Sequence, residues 1–486
     1  MSNFVNAMQN ENNWKKTENN ADALKSTTNS LLDLFGTIGA LRTRAEFDIE
    51  SAFSKAFTEN QLFAMKMGFY ARNIRGGLGE RRTPRVIWKW LAKIYPDVMR
   101  KNLTLIPEFG RWDDLYEFVG TELEKDAFTI IRNQFTEDCI QASENKPVSV
   151  MAKWLKSINT SSKESCKLGK LTAKYLSLSE KEYRKWLSAL RNQIDVTERK
   201  MSFNQWTKIK YSGVPSKAMT NYRKAFKKHD EDGFTKYLES VVKGEAKINS
   251  STLFPYDIME KVFAGEYNEV LEQQWKALPN YVEGENNILI MADVSGSMNG
   301  RPIATSVGLA IYFAERNYGA FANVFMTFSA HPDFVKLKGN TLYEKAMNAK
   351  RAQWDMNTNI EAAFKQILNV AVSNKISQDE MPKSLIIISD MEFDEASKNR
   401  YGDRKQTYYE RMKQLYNSNG YELPKIIFWN VSARQDTFHA EMKDGVQFAS
   451  GQSQSVFKAL LSNSNLGAYE LMMNTLNDPV YDRVVI

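Results

Sequence analysis

A chain of 486 residues is too long for one ordinary core, so two or more domains are expected. With 43% hydrophobic and 25% charged residues the composition is globular rather than disordered or fibrous, and no apolar run approaches the ~18 residues of a membrane span. The net charge of +7 lies wholly in residues 1–285; residues 151–250 alone hold 22 Lys and Arg against 10 Asp and Glu, whereas residues 286–486 hold 21 of each. Such a focus on one region points to an anionic partner such as nucleic acid.

Met1 to Asn20 is polar and Asn-rich with no apolar signal core, so residues 1–29 read as a flexible lead-in to a cytoplasmic protein. Cys139 and Cys166 make neither a disulfide framework nor a metal spacing, which fits a reducing compartment. His229, His331 and His439 are scattered, which argues against a His-based hydrolase or zinc site.

From 30 to 285 the pattern is helical. Met151, Trp154, Leu155 and Ile158 fall at i, i+3, i+4, i+7, and Ser179 with Glu182 forms a capping box that opens a helix with the stripe Tyr183, Trp186, Leu187, Leu190 and Ile194. Short Gly, Pro or polar breaks recur at Gly76-Gly77, Pro107, Pro147, Pro215 and Gly244. Many helices with short links and no strand signal predict an all-α helical-repeat module, a HEAT-like superhelix, although no fixed period repeats cleanly.

Several constellations in this module carry charge. In Arg72-Asn-Ile-Arg75-Gly-Gly-Leu-Gly79-Glu-Arg81-Arg82, glycines would let amides approach an anion and arginines could clamp phosphate; the alternative is a helix–helix turn whose arginines pair with Glu80 and other acids. Asp113-Asp114 is read as a helix cap rather than a metal pair. The loop from Trp154 to Lys163 could bind phosphate oxygens or cap the next helix. Lys208, Lys210, Tyr211, Lys217, Tyr222, Arg223, Lys224, Lys227 and Lys228 interleave cations with aromatics, as single-stranded nucleic-acid surfaces do, though aromatics at helical spacing are more often core. The residues expected to contact phosphate are Arg72, Arg75, Arg81, Arg82, Lys163, Lys167, Lys208, Lys210, Arg223 and Lys224.

Residues 281–287 form a polar boundary, and beyond it strands at 288–292, 323–329, 384–389, 425–430 and 446–449 alternate with helices at 302–317, 359–374, 405–417 and 454–463. Phe334 to Leu342 reads as an edge hairpin with a Gly-Asn turn. This alternation predicts an α/β doubly wound, Rossmann-like domain over 286–470, followed by a tail, 471–486, that adds one helix and packs Val484-Val-Ile486 on the body.

The most specific chemistry lies at the first of these strands. Ile288-Leu-Ile-Met-Ala292 runs into Asp293-Val-Ser-Gly-Ser297, placing one carboxylate and two hydroxyls at the end of a buried parallel strand, where open α/β sheets bind ligands. These are hard oxygen donors suited to Mg²⁺, Mn²⁺ or Ca²⁺, the alternative being a Ser/Asp turn that caps the next helix. The second apolar run, Ser384 to Ser389, ends in Asp390, and Thr358 lies between the two in Asn357-Thr-Asn359. Asp-x-Ser-x-Ser with a distant Thr and a distant Asp resembles the metal-ion-dependent adhesion site of von Willebrand factor A domains. The resemblance implies that Ser295, Ser297 and Thr358, with Thr327 or Thr341 as the alternative threonine, coordinate a divalent cation, Mg²⁺ foremost, that Asp293 and Asp390 hold it mainly through bound waters, and that a coordination position stays open for an acidic partner. Met391-Glu392 stands where many such domains have Gly.

Arg-x-Ile-Arg-Gly-Gly (72–77), Pro-Glu-Phe-Gly-Arg-Trp-Asp-Asp (107–114) and Ala-Lys-Trp-Leu-x-Ser-Ile-Asn-Thr (152–160) resemble, as a set, a family of viral, bacterial and plant proteins that joins a helical region to a C-terminal von Willebrand A domain. That architecture is distantly similar to the Ro autoantigens, whose TROVE module is a helical-repeat ring that binds small structured and single-stranded RNA. The resemblance implies a ribonucleoprotein-type RNA-binding protein with a metal-dependent acidic partner and no membrane. The alternative is a protein–protein adaptor or assembly factor without nucleic acid. No nucleophile–base pair is visible, so the chain is not expected to be an enzyme.

Overall fold

The computed structural model describes residue 8 and residues 11–283, 287–328, 332–351, 358–395 and 407–486; His331, Asn357 and positions 284–286 of the polar boundary lie outside the described residues. The helical region is built from α1 (Ser30–Phe35), α2 (Glu46–Glu59), α3 (Gln61–Arg72), α4 (Arg82–Ile94), α5 (Pro96–Asn102), α6 (Glu124–Ser143), α7 (Lys163–Tyr175), α8 (Glu180–Gln193), α9 (Thr197–Ser202), α10 (Ser216–His229), α11 (Glu231–Val242), α12 (Pro255–Phe263) and α13 (Glu269–Lys276).

Local chemistry sets these boundaries. Asn60 serves two helices at once: its N–H closes α2 on the Ala56 carbonyl, and its side chain accepts the Phe63 N–H to open α3. The capping box of Ser179 and Glu182 opens α8, and Tyr183, Leu187 and Leu190 are buried along it. Trp186 departs from the expected stripe and stays 39% exposed. The helix expected over 151–158 is a single turn, Met151–Trp154, ended by an extended Leu155; Leu155 and Ile158 are buried all the same.

The C-terminal region is a six-stranded sheet of order β5-β4-β3-β6-β7-β8, from β3 (Ile288–Asp293), β4 (Val324–Phe328), β5 (Phe334–Lys336), β6 (Ser384–Ser389), β7 (Lys425–Asn430) and β8 (Gln447–Ser450). All neighbours pair in parallel except β4 and β5. The chain leaves β3 toward β4 on one side and returns to β6 on the other, so β3 and β6 flank the switch point of the sheet. The helices are α14 (Arg301–Ala314), α15 (Leu342–Lys350), α16 (Ile360–Asn374), α17 (Tyr408–Ser418), α18 (Val456–Ser462) and α19 (Ala468–Leu476). The hairpin expected over 334–342 does not form: β5 pairs back on β4, and Thr341 with Glu344 makes a capping box that opens α15 instead. In the tail, α19 packs on α1 and α3 and Val484 is buried, but Val485 and Ile486 are exposed.

The two regions are not packed as separate bodies. One buried apolar cluster runs from Ala21 to Val484, and a smaller one joins α10 and α11. Gly39 lies against Gly451 so closely that a Cβ on Gly39 would sit 2.6 Å from the Gly451 Cα. Residues expected as a lead-in form a hairpin, β1 (Trp14–Lys16) with β2 (Asp22–Leu24), tied to the C-terminal region by Thr17 Oγ1 to Phe393 O at 2.7 Å and by a bridge between Leu24 and Phe438.

Candidate functional site

Asp293 ends β3 and Ser389 ends β6, and both are fully buried at the switch point. Asp293 accepts the Ser295 N–H on Oδ1 at 2.9 Å and the Ser389 hydroxyl on Oδ2 at 2.6 Å. The Ser295 and Ser297 hydroxyls stand 3.1 Å apart. Asp390, 1% exposed, follows Ser389. Thr358 is tied to the loop after β6, its N–H donating to Asp394 Oδ2 at 2.7 Å and its carbonyl accepting the Asp394 N–H at 3.1 Å. The two other threonines considered for the site are engaged elsewhere, Thr341 as the cap of α15 and Thr327 on Asp333.

Burial first, then the nearby charge of Asp390, pushes the Asp293 carboxyl well above the ordinary carboxylate range. Two buried carboxylates with hydroxyls beside them are short of positive charge, which suits a hard divalent cation. The fold supplies one cation of its own: Arg434 donates to Asp390 Oδ2 at 3.0 Å and pairs with Glu18 of the N-terminal segment at 2.7 Å. Glu392, fully buried, accepts the Glu18 N–H and the Thr437 hydroxyl. Ser389, Arg434, Glu392 and Glu18 therefore surround the site without having been expected there. Ser389 could have been found from its place at a strand end; Arg434 and Glu18 have no sequence signal, because the contacts span 44 and 416 positions. Among the described residues no group of three or more His, Cys, Asp or Glu forms a metal cluster, so any cation here would depend on the hydroxyls.

The arginine-rich loop resolves toward structure. The N–H groups of Arg75, Gly76, Gly77, Leu78, Gly79 and Glu80 all bond within the loop or to Tyr70 and Ala71, leaving no amide cradle for an anion. Arg72 is 3% exposed and paired with Asp114 at 2.7 Å, and Arg82 donates to the carbonyls of Arg42 and Arg44. Glu80 pairs with Arg42 rather than with an arginine of its own loop. Asp114 also takes Arg85 and accepts the Arg111 N–H as a cap, while Arg111 clamps Asp113 with two hydrogen bonds. Against the effect of burial, Arg111 and Arg85 hold the Asp113 carboxyl below the usual range. Arg223 is buried against Glu266 and the Thr220 carbonyl. Arg72, Arg82 and Arg223 are thus corrected from phosphate contacts to internal ties, because each is turned onto buried or half-buried oxygen. Arg75, Arg81, Lys163, Lys167, Lys208, Lys210 and Lys224 remain exposed, though Arg81 leans on Asp113 and Lys224 on Glu266.

The basic surface the structure does assemble lies elsewhere in the same stretch. Two adjoining hollows of about 630 and 600 Å³ run along α8 and α9 and share Asn159, Arg184, Ser188 and Arg199. Lys153, Lys181, Lys185 and Arg191 complete their positive lining, against one carboxylate among the described residues, Glu198.

Residues 17–153 and 146–286 match the family described as a domain of unknown function, DUF2828. The chain belongs to the DUF2828 family. Residues 287–480 match a second domain of unknown function, DUF7788, which covers the sheet and its cluster of carboxylates and hydroxyls. The uncharacterized protein L728 of Acanthamoeba polyphaga mimivirus is 27% identical over 531 residues, covering 98% of this chain and 89% of the viral one. The crystal structure of the Ro (RSR) protein of Deinococcus radiodurans aligns over 94% of both chains at 12% identity with a TM-score of 0.31, too low for its geometry to be transferred.

Proposed function

We propose that this DUF2828 protein binds RNA through its basic helical region, and that its C-terminal region is a von Willebrand A-like domain that holds a divalent cation and receives an acidic group from a protein partner. The observation that carries the reading is the separation of the two chemistries. A basic lining that includes Arg184, Arg191 and Arg199 lies along α8 and α9, whereas the buried carboxylates and hydroxyls lie at the ends of β3 and β6. Ser295, Ser297 and Thr358 would hold the cation with Asp293 and Asp390, and Mg²⁺ fits hard oxygen donors. When bound, the ion supplies a Lewis-acidic position for a carboxylate; Arg434 keeps Asp390 oriented and neutralised at the rim. No catalytic step is assigned to these residues. Among the described residues no helix is long and apolar enough to cross a membrane.

The test is an electrophoretic shift with purified protein and total RNA, repeated at rising salt, alongside Mn²⁺ titration followed by electron paramagnetic resonance. Salt-sensitive RNA retention in wild type and in Asp293→Ala alike, with Mn²⁺ binding lost only in the variant, supports both halves. Absence of any RNA shift removes the RNA half and leaves a metal-dependent protein adaptor. That second reading is favoured by the commitment of Arg72, Arg82 and Arg223 to internal partners.

A further inference from the structure

The hollow along α8 and α9 has three properties that a solvated helix face does not need. First, its guanidinium groups are not neutralised. Arg184 turns to the Glu180 carbonyl, Arg191 to the carbonyls of Ala152 and Leu155, and Arg199 to the carbonyl and hydroxyl of Ser188. Main-chain carbonyls fix a guanidinium in place but leave its full charge facing the hollow. Among the described residues lining the hollow the one carboxylate, Glu198, is engaged by the Tyr222 hydroxyl at 3.3 Å.

Second, the basic lining carries aromatic faces. Phe203 is 61% exposed at the rim with the Arg199 guanidinium 5.1 Å from its ring, and Trp154 lines the same hollow with Arg111 4.2 Å from its own ring. The Phe203 ring, left in water beside the Arg199 guanidinium, offers a face on which a base can stack. Third, the hollow continues past Arg184 and Arg199 into its neighbour, which adds Lys181 and Lys185, so the positive lining extends along the helices instead of closing around a small ion.

We propose that this trough seats a single-stranded RNA segment, with phosphates on Arg184, Lys185 and Arg199 and a base stacked on Phe203. The inference rests on the RNA-binding reading above and assigns it a place and a strandedness. Single strands expose base faces that stack on aromatics, at about 1–3 kcal/mol per base, whereas a duplex hides them. An acidic peptide would use the cations but has no use for the ring.

The experiment is fluorescence anisotropy with a fluorescein-labelled oligouridylate, a blunt RNA duplex and polyglutamate as separate probes. The variants are Arg184→Glu with Lys185→Glu, and Phe203→Ala beside Phe203→Leu, each checked for an unchanged thermal midpoint. The altered residues are exposed, and Arg199 is left alone because it ties α9 to α8. The charge reversal is expected to weaken oligouridylate binding by more than about 30-fold. Phe203→Ala is expected to weaken it about 5- to 100-fold, with Phe203→Leu recovering little, and neither Phe203 variant should move duplex binding. Wild-type affinity should fall roughly 20-fold between about 50 and 200 mM salt if three phosphates are held. Oligouridylate binding that ignores these variants overturns the trough while leaving RNA binding intact. Equal loss for duplex and single strand, or polyglutamate competing as well as oligouridylate, overturns the single-strand assignment. No RNA binding by wild type overturns both this inference and the reading beneath it.

Discussion

Arg72 and Asp114 form an ion pair at 2.7 Å with both side chains almost wholly removed from water, at 3% and 2% exposure. The pair joins the end of α3 to the turn at 112–118, and Asp114 is further held by Arg85 and by the Arg111 N–H. Removing Arg72 leaves a buried carboxylate with part of its compensation gone. Arg72→Met is therefore expected to destabilise by about 3 kcal/mol, and Arg81→Ala, at an exposed cation, by less than about 1 kcal/mol. Urea unfolding of the two variants checks the contrast; equal effects would show that the buried pair does not anchor the turn.

The switch-point site predicts metal-linked stability. Saturating Mg²⁺ or Mn²⁺ should stabilise the wild type by about 3 kcal/mol at a hundredfold excess over Kd, because an ion that binds only the folded chain shifts its unfolding. Asp293→Ala should lose that increment while Thr341→Ala, a change at the cap of α15, keeps it. Thermal melts with and without the ion give the comparison, and an increment that survives in Asp293→Ala would place the ion elsewhere.

Gly39 offers a test of the joint between the two regions. A Cβ there would lie 2.6 Å from backbone atoms of Gly451 and 2.8 Å from the Ser450 carbonyl carbon, so the neighbour is main chain and cannot rotate away. Gly39→Ala should destabilise by about 1–3 kcal/mol by overpacking, with a cooperative transition retained because one core spans both regions. Calorimetry that resolves two separate transitions in the variant would mean that the joint alone couples them.

His439 predicts an acid limb. It is fully buried among Phe393, Tyr408 and Phe428, with Nε2 on the Met391 carbonyl, and burial lowers its pKa from 6.5 to about 4. The unfolded chain therefore binds the proton more readily, so stability from this group is full above about pH 6.5 and is lost as the pH falls toward 4, by up to about 3 kcal/mol. Asp33, pushed up to about 6 by burial, acts in the opposite sense over part of that range. The informative quantity is consequently the difference between wild type and His439→Gln in urea at pH 7.5 and pH 5: the variant should lose less stability on acidification. An identical acid loss in both proteins would exclude His439 as its source.

Much of the fold is legible in the chain because it depends on local pattern. The runs at 288–293 and 384–389 are buried end to end, and the run at 425–430 is buried after a half-buried Lys425, as β-branched stretches flanked by parallel neighbours must be. Ser179 and Glu182 cap the helix they announce, since a capping box needs only four residues. The same locality accounts for Asp293, Ser295 and Ser297, which share one loop at a strand end. Where the reading departed from the structure, the deciding partner was remote. Thr341 caps a helix instead of lying in a hairpin because β5 finds β4, and Trp186 is exposed although its spacing fits a stripe.

The sequence by itself determined the helical region, the parallel sheet, and the place of the carboxylates and hydroxyls along it, all of which follow from periodicity and strand ends. Only the tertiary structure decided which cations are free. Arg72 and Arg223 look no different in sequence from Arg184 or Arg199, yet the first two are buried against the carboxylates of Asp114 and Glu266, whereas the last two bond to nearby main-chain carbonyls and face an open hollow. The reason is physical: a charged side chain is neutralised or left charged according to the carboxylates that distant segments bring within about 3 Å, and spacing along one helix carries no record of them.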